Sequence, residues 1–176
     1  MEPIVVGMAE CVIADVPGQV LTTYALGSCI GLAVHDAHAS LGGLLHFMLP
    51  DSAIDPVRGR EKPCMFADTG IAVLLERMAA RGAGRLAAHI AGGAQVIDGD
   101  DVLEIGKRNY LASRRILWKA GILLRGAAIG GTRCRSMHLE IGSGRVWVAE
   151  GGQPVDLSAT GSGKGGVYGL PGLNCR

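Results

Sequence analysis

The chain has 176 residues, a hydrophobic fraction of 48% and a formal charge of +1, which fits one globular domain with a real core and excludes a disordered chain. Near-neutral charge argues against a nucleic-acid binder, and the cluster Arg108, Arg114, Arg115 and Lys119 reads as a solvated helix face. No apolar run reaches the roughly 18 residues of a membrane span, and Met1-Glu2-Pro3 is not the basic start of a signal peptide, so a cytoplasmic location is expected.

Short β-rich runs open the chain at Ile4 to Met8 and Glu10 to Asp15, followed by a Pro17-Gly18 turn. Gln19 to Tyr24 is a strand on which Thr22 and Thr23 point to opposite faces. The apolar run Ile30–Val34, the polar turn 36–40 and the apolar run Leu41–Leu49 predict a hairpin. Residues 51–66, interrupted by Pro56 and Pro63, read as a loop that either contacts a protein partner or simply connects. Asp68 reads as the N-cap of a helix with Ile71, Leu74, Leu75 and Met78 at core spacing and Gly82 at its end. Leu86 to Ile90 is a strand running into Gly92-Gly93. A second helix is predicted from about Gly106 to Ala120, with Ala112, Ile116, Leu117 and Ala120 inward.

Ile122 to Leu124, Met137 to Ile141 and Arg145 to Ala149 complete the strands, the middle one alternating polar Ser136, His138 and Glu140 with apolar neighbours. Gly126 and Gly130-Gly131 read as turn residues. Eight of the last 26 residues are Gly, so 151–176 is expected to be a flexible tail outside a single domain over 1–150. Within it, Gly161 to Gly166 lacks the Ser/Thr and helix of a phosphate loop. The order of elements fits an α+β domain of mainly antiparallel sheets with outer helices.

The chemistry concentrates in residues 20–50. Cys29 lies at the start of the hairpin's first strand and His46 late in its second, an arrangement that sets them side by side. A free thiol, with a pKa of about 8.5, is mostly protonated at neutral pH, and a neighbouring imidazole can take its proton. The competing reading is a small buried Cys with an unrelated His. Gly27, which permits close backbone approach, and Gly42-Gly43, which clear side chains from the facing strand, favour the dyad. Gly27-Ser28-Cys29-Ile30-Gly31 also fits a nucleophile elbow, but strand rather than helix follows it. Ser28 is the less attractive nucleophile of the pair. Backbone N–H groups around Gly27, Ser28 and Cys29 are candidates for oxyanion support. Thr22 and Thr23 are candidates to fix the His46 ring, although on the residues alone ordinary β-branched strand filler is the stronger reading.

The other cysteines, Cys11, Cys64, Cys134 and Cys175, are scattered without a CxxC pair, so neither a disulfide framework nor a zinc site is expected. His35 and His38 read as solvent-exposed turn residues. No metal and no cofactor are expected.

The run Val5-Val6-Gly7-Met8, Pro17-Gly18, Leu26-Gly27-Ser28-Cys29 and Gly42-Gly43-x-x-His46-x-Met48-Leu49-Pro50 resembles the CheD family of chemoreceptor glutamine deamidases. Matching pieces follow in order: Ala67-Asp68-Thr69, Gly92-Gly93-Ala94, Ile105-Gly106-x-Arg108-Asn109 and Gly130-Gly131. The resemblance implies a layered α/β sandwich similar to the catalytic domain of cytotoxic necrotizing factor. It implies Cys29 and His46 as catalytic residues, favours Thr23 over Thr22 as their third member, and makes helical cytoplasmic segments of methyl-accepting chemotaxis receptors the substrate. It implies, for some members, regulation by the chemotaxis phosphatase CheC. The sequence departs from the family pattern at Ala25, His89 and Cys134, where Gly, Lys and Gly are usual. Two other functions fit the same residues: a non-catalytic adaptor docking on receptors or the phosphatase, and another thiol enzyme, a transamidase or peptidase-like hydrolase.

Overall fold

The computed structural model describes residues 1–95 and 104–158. Two five-stranded sheets stack face to face, and helices cover the outer face of one of them. The first sheet runs β1 (Ile4–Val5), β3 (Val20–Leu26), β8 (Arg135–Glu140), β9 (Val146–Glu150) and β10 (Gln153–Asp156) in that spatial order. The second runs β2 (Glu10–Ala14), β5 (Leu41–Phe47), β4 (Ile30–Asp36), β6 (Ala87–Gly92) and β7 (Leu123–Ile129). Pairing is antiparallel except for β1 with β3 and β6 with β7. The expected α+β layered sandwich is the architecture observed.

Alternation of side chains along a strand decides which layer each residue joins. On β4 and β5 every residue is buried, because these strands have helices on one face and the first sheet on the other. Leu32, Leu45 and Phe47 pack outward against Ile71, Leu74 and Met78 of α2 (Ala67–Ala80). Ala33 and Leu44 pack inward against Leu21, Leu26, Met137 and Leu139 of the first sheet. α3 (Ile105–Lys119) covers the rest of the outer face with Ala112 and Leu117.

Gly42 and Gly43 serve these layers rather than clearing space for the site. A Cβ on Gly42 would strike Ile141 and Leu139 across the sandwich, and one on Gly43 would lie 2.6 Å from Leu74 of α2.

Several local readings are corrected. The segment 51–66 is not a plain loop. It holds α1 (Pro56–Glu61) between two 3-10 turns, because Asp51 and Asp55 each accept a backbone N–H at a helix start. Asp68 does not cap α2, whose N-cap is Phe66. Its carboxylate instead accepts the Ser52 N–H and hydroxyl at 2.9 and 2.6 Å. Gly126 is a strand residue of β7, where a Cβ would lie 2.7 Å from the Leu157 carbonyl. Ala120 is exposed, and the inner face of α3 carries Asn109 and Ser113 as well as Ala112 and Leu117. β10 carries the sheet past the expected boundary at Glu150. The segment 161–166, Cys175 and the tail from 159 onward lie outside the described residues.

His38 is exposed, but His35 is only 6% exposed. β4 extends to Asp36, so His35 is its last inward residue, with the ring where a Cβ on Gly144 would sit. Asp36 ends the strand by accepting the N–H groups of His38, Ala39, Gly84 and Arg85 at 2.7–3.2 Å, and these bonds hold its carboxyl far below the usual range. His89 lies near His35 between the sheets, 5% exposed, with neither ring nitrogen hydrogen-bonded among the described residues.

Burial, with smaller contributions from His35 and Arg125, lowers the His89 pKa from 6.5 to about 4. The folded chain therefore keeps this ring neutral at pH values where the unfolded chain protonates it. Its contribution to stability is complete above pH 6.5 and is lost as the pH falls from 6.5 toward 4. The loss is on the order of 3 kcal/mol at the acid end. Urea unfolding at pH 7.5 and pH 5 is expected to show a drop in midpoint for the native chain that is clearly smaller in His89→Gln.

Candidate active site

Three strands from both sheets contribute to the site. On β4 and β5, Gly31 pairs directly with His46. A Cβ on Gly31 would meet Leu26, Met137 and Thr23, so this pair faces the first sheet. Cys29 lies two residues before Gly31, just ahead of β4, and packs with the same inter-sheet cluster. It is therefore diagonal to His46 on one face rather than directly opposite, and the residue between them has no side chain.

Thr23 reaches the same spot from β3 of the other sheet. It is fully buried, and its Oγ1 lies 2.8 Å from His46 Nδ1. The Thr23 hydroxyl has one proton and donates it to the Val6 carbonyl at 2.8 Å. The close Nδ1 is then the donor, and Thr23 Oγ1 accepts. In the neutral ring this leaves Nε2 with its lone pair and no proton. His46 is 2% exposed, and Nε2 has no hydrogen-bond partner among the described residues. Thr22 points to the opposite face, where its hydroxyl lies 3.0 Å from His138 Nδ1 and the His138 ring stacks on Trp147.

Burial acts on both members of the dyad toward neutrality. It pushes the Cys29 thiol up from 9.0 and the His46 imidazole down from 6.5. The Cys29 backbone N–H opposes this on the thiol, because it favours the thiolate. Both shifts favour the uncharged thiol and imidazole over an ion pair.

The loop carrying Cys29 is held from three sides. β6 ends at Gly92-Gly93. The Gly93 N–H donates to the Cys29 carbonyl at 2.9 Å, and the Ala94 N–H to the Gly27 carbonyl at 2.7 Å. Gly92 has φ +118, and a Cβ there would strike the Cys29 carbonyl, so only glycine fits. Beneath it the Gly130 N–H donates to the Gly92 carbonyl at 3.0 Å. The buried Arg135 guanidinium donates to the carbonyls of Ala128 and Gly130 at 2.5 and 2.6 Å and pairs with Glu150 at 3.0 Å.

From the helix layer, Asn109 of α3 is fully buried. Its Nδ2 donates to the carbonyls of Ser28 at 3.0 Å and Met48 at 2.8 Å. Sequence reading noted Asn109 only as part of a motif. The available signal was a polar residue on the inner face of an amphipathic helix. Gly27 and Ser28 precede Cys29 in its loop, but the Gly27 N–H is already donated to the Ala25 carbonyl at 2.9 Å. Ala25 itself has φ +57, the left-handed region that Gly occupies more easily, at an irregularity in β3.

Among the described residues no group of three or more His, Cys, Asp or Glu side chains is arranged to hold a metal ion. The arrangement sets a half-buried thiol on the face shared with a buried imidazole whose Nδ1 is held by Thr23. This suits addition to a carbonyl carbon followed by protonation of the leaving group.

A CheD family profile, described as CheD chemotactic sensory transduction, matches residues 48–150. The chain is 60% identical to the probable chemoreceptor glutamine deamidase CheD of Solibacter usitatus, over 94% of this chain and 99% of that protein. It is 38% identical to a relative of the same description from Syntrophus aciditrophicus, over 88% and 98% of the two chains. A third, from Anaeromyxobacter dehalogenans, is 40% identical over 89% and 100%. With a profile match over more than half its length and relatives aligned nearly end to end, this chain belongs to the CheD family.

Proposed function

We propose that the chain is a protein-glutamine deamidase that converts glutamine side chains of methyl-accepting chemotaxis receptors to glutamate through a thioester on Cys29. The observation that carries this reading is the 2.8 Å contact of His46 Nδ1 with Thr23, which leaves Nε2 as a free base on the face shared with Cys29. The names of the relatives supply the substrate class.

In the first step His46 Nε2 takes the Cys29 proton as sulfur attacks the side-chain amide carbon. The carbonyl oxygen becomes an oxyanion stabilised by backbone N–H groups, with that of Cys29 the candidate donor. The imidazolium then gives its proton to the amide nitrogen, the C–N bond breaks and ammonia leaves. Water, deprotonated by the regenerated imidazole, attacks the thioester carbon. The C–S bond breaks, glutamate forms and Cys29 recovers its proton. Thr23 keeps the ring oriented throughout and accepts from Nδ1–H in both ring states.

The receptor and, in this reading, a CheC-type phosphatase are the partners, and the site of action is the cytoplasm. No helix among the described residues is long and apolar enough to cross a membrane.

Ammonia release and intact mass are to be measured on a purified receptor cytoplasmic fragment. A gain of about 1 Da per modified site is expected with the native chain and none with Cys29→Ala, as covalent catalysis requires. No gain with either form, on a receptor from the same cell, would favour the adaptor. Peptide cleavage would favour a peptidase.

The neutral dyad has its own signature. Because burial raises the thiol and lowers the imidazole, Cys29 alkylation by iodoacetamide is expected to stay slow at neutral pH and climb through the alkaline range. A rate already at its plateau near pH 6 would mean a preformed thiolate–imidazolium pair.

A further inference from the structure

We propose that Asn109 is the positioning residue of the site: by gripping the carbonyls of Ser28 and Met48 with one amide group, it aims the Cys29 N–H as an oxyanion donor and fixes the spacing of nucleophile and base. The inference deepens the deamidase reading and rests on it for the reaction concerned.

The geometry begins with the peptide between Ser28 and Cys29. No cis peptide bond occurs among the described residues. In a trans peptide the C=O and the following N–H point in opposite directions within one plane. Asn109 Nδ2 holds the Ser28 carbonyl at 3.0 Å toward α3, so the Cys29 N–H must point away from α3. That side is the inter-sheet face, where Cys29 packs with the cluster that also holds Leu44 of β5. An amide fixed there before substrate arrives is the kind of donor that stabilises charge as it develops on a carbonyl attacked by that sulfur.

The second bond does a different task. Met48 follows His46 by two residues, at the end of β5, and its carbonyl lies 2.8 Å from the same Nδ2. The nucleophile's loop and the base's strand are therefore tied to one nitrogen. These carbonyls lie 81 and 61 residues from Asn109 in sequence, so no local turn could link them this way. Burial makes the grip stiff: Asn109 is 0% exposed, so water cannot replace either bond without rearrangement. Below Nδ2, the helix is braced by Ser113, whose hydroxyl donates to the Asn109 carbonyl at 2.8 Å. At the helix start, a Cβ on Gly106 would lie 2.5 Å from the Gly93 carbonyl, so α3 approaches the Cys29 loop closely.

The test uses the full chain with Asn109→Leu, similar in size but without donors, and Asn109→Ala in case the first fails to fold. Leu117→Ala, a buried core truncation on the same helix away from the loop, reports a purely structural loss. Three quantities are read: melting temperature, the pH profile of Cys29 alkylation, and kcat and KM for deamidation of the receptor fragment. The expected result for the Asn109 variants is a kcat lower by roughly tenfold to a hundredfold with KM within about twofold, since an oxyanion donor acts on the transition state. Their alkylation profile moves to higher pH, because the Cys29 N–H no longer favours the thiolate. Leu117→Ala lowers the melting temperature and leaves both other readouts near native. Folded Asn109 variants with native kcat and native alkylation profile would overturn the proposal, as would the same losses in Leu117→Ala. If the native chain releases no ammonia yet the alkylation profile shifts in the Asn109 variants alone, the deamidase reading fails and the positioning role stands.

Discussion

The site depends on one buried hydroxyl. Thr23 has a single proton, and the Val6 carbonyl takes it. His46 Nδ1 must then be the donor in the 2.8 Å contact, and Nε2 is left bare. Everything chemical follows from that choice of tautomer, because a neutral imidazole with its proton on Nε2 could not accept a second one from a thiol at that nitrogen. The arrangement also carries a cost. A buried ring nitrogen without a partner costs about 1–3 kcal/mol, a penalty that the thiol proton or a bound amide would relieve.

That contact can form only because of the layering. Thr23 belongs to one sheet, and His46 and Gly31 belong to the other. The side-chain alternation of β3, β4 and β5 delivers all three to the gap between them. The same gap strips water from Cys29 and His46 and moves both toward their neutral forms. Backbone bonds from Gly93 and Ala94, and the Asn109 amide, then fix the loop carrying the thiol. Fold and chemistry share these groups, so the most constrained glycine near the site, Gly92, is constrained by the Cys29 carbonyl itself.

Much of this was legible in residue order. The hairpin of β4 and β5, both long helices and the polar–apolar alternation of β8 follow from period and turn signals, and the LGSC and GGxxHxMLP runs pointed to the Cys–His pair. What was not legible is long-range. His35 looked like a turn residue because the strand's end is set by Asp36 gripping the distant Gly84 and Arg85 amides. Gly42-Gly43 looked like clearance for a site, whereas their constraint comes from Ile141 and Leu74 on other layers. Arg135 is 3% exposed, and its two terminal nitrogens are met by carbonyls that only the folded loop presents. Asn109 belongs to the same class, since a buried amide declares its role only through its partners.

The tautomer of His46 can be read directly by 15N NMR of the ring in the native chain and in Thr23→Val, at a pH above its titration. The Thr23 contact predicts a protonated Nδ1 and a bare Nε2 in the native chain, with that preference weakened when the hydroxyl is removed. A native ring protonated at Nε2, or a tautomer indifferent to Thr23→Val, would contradict the claim that this hydrogen bond prepares the base for Cys29.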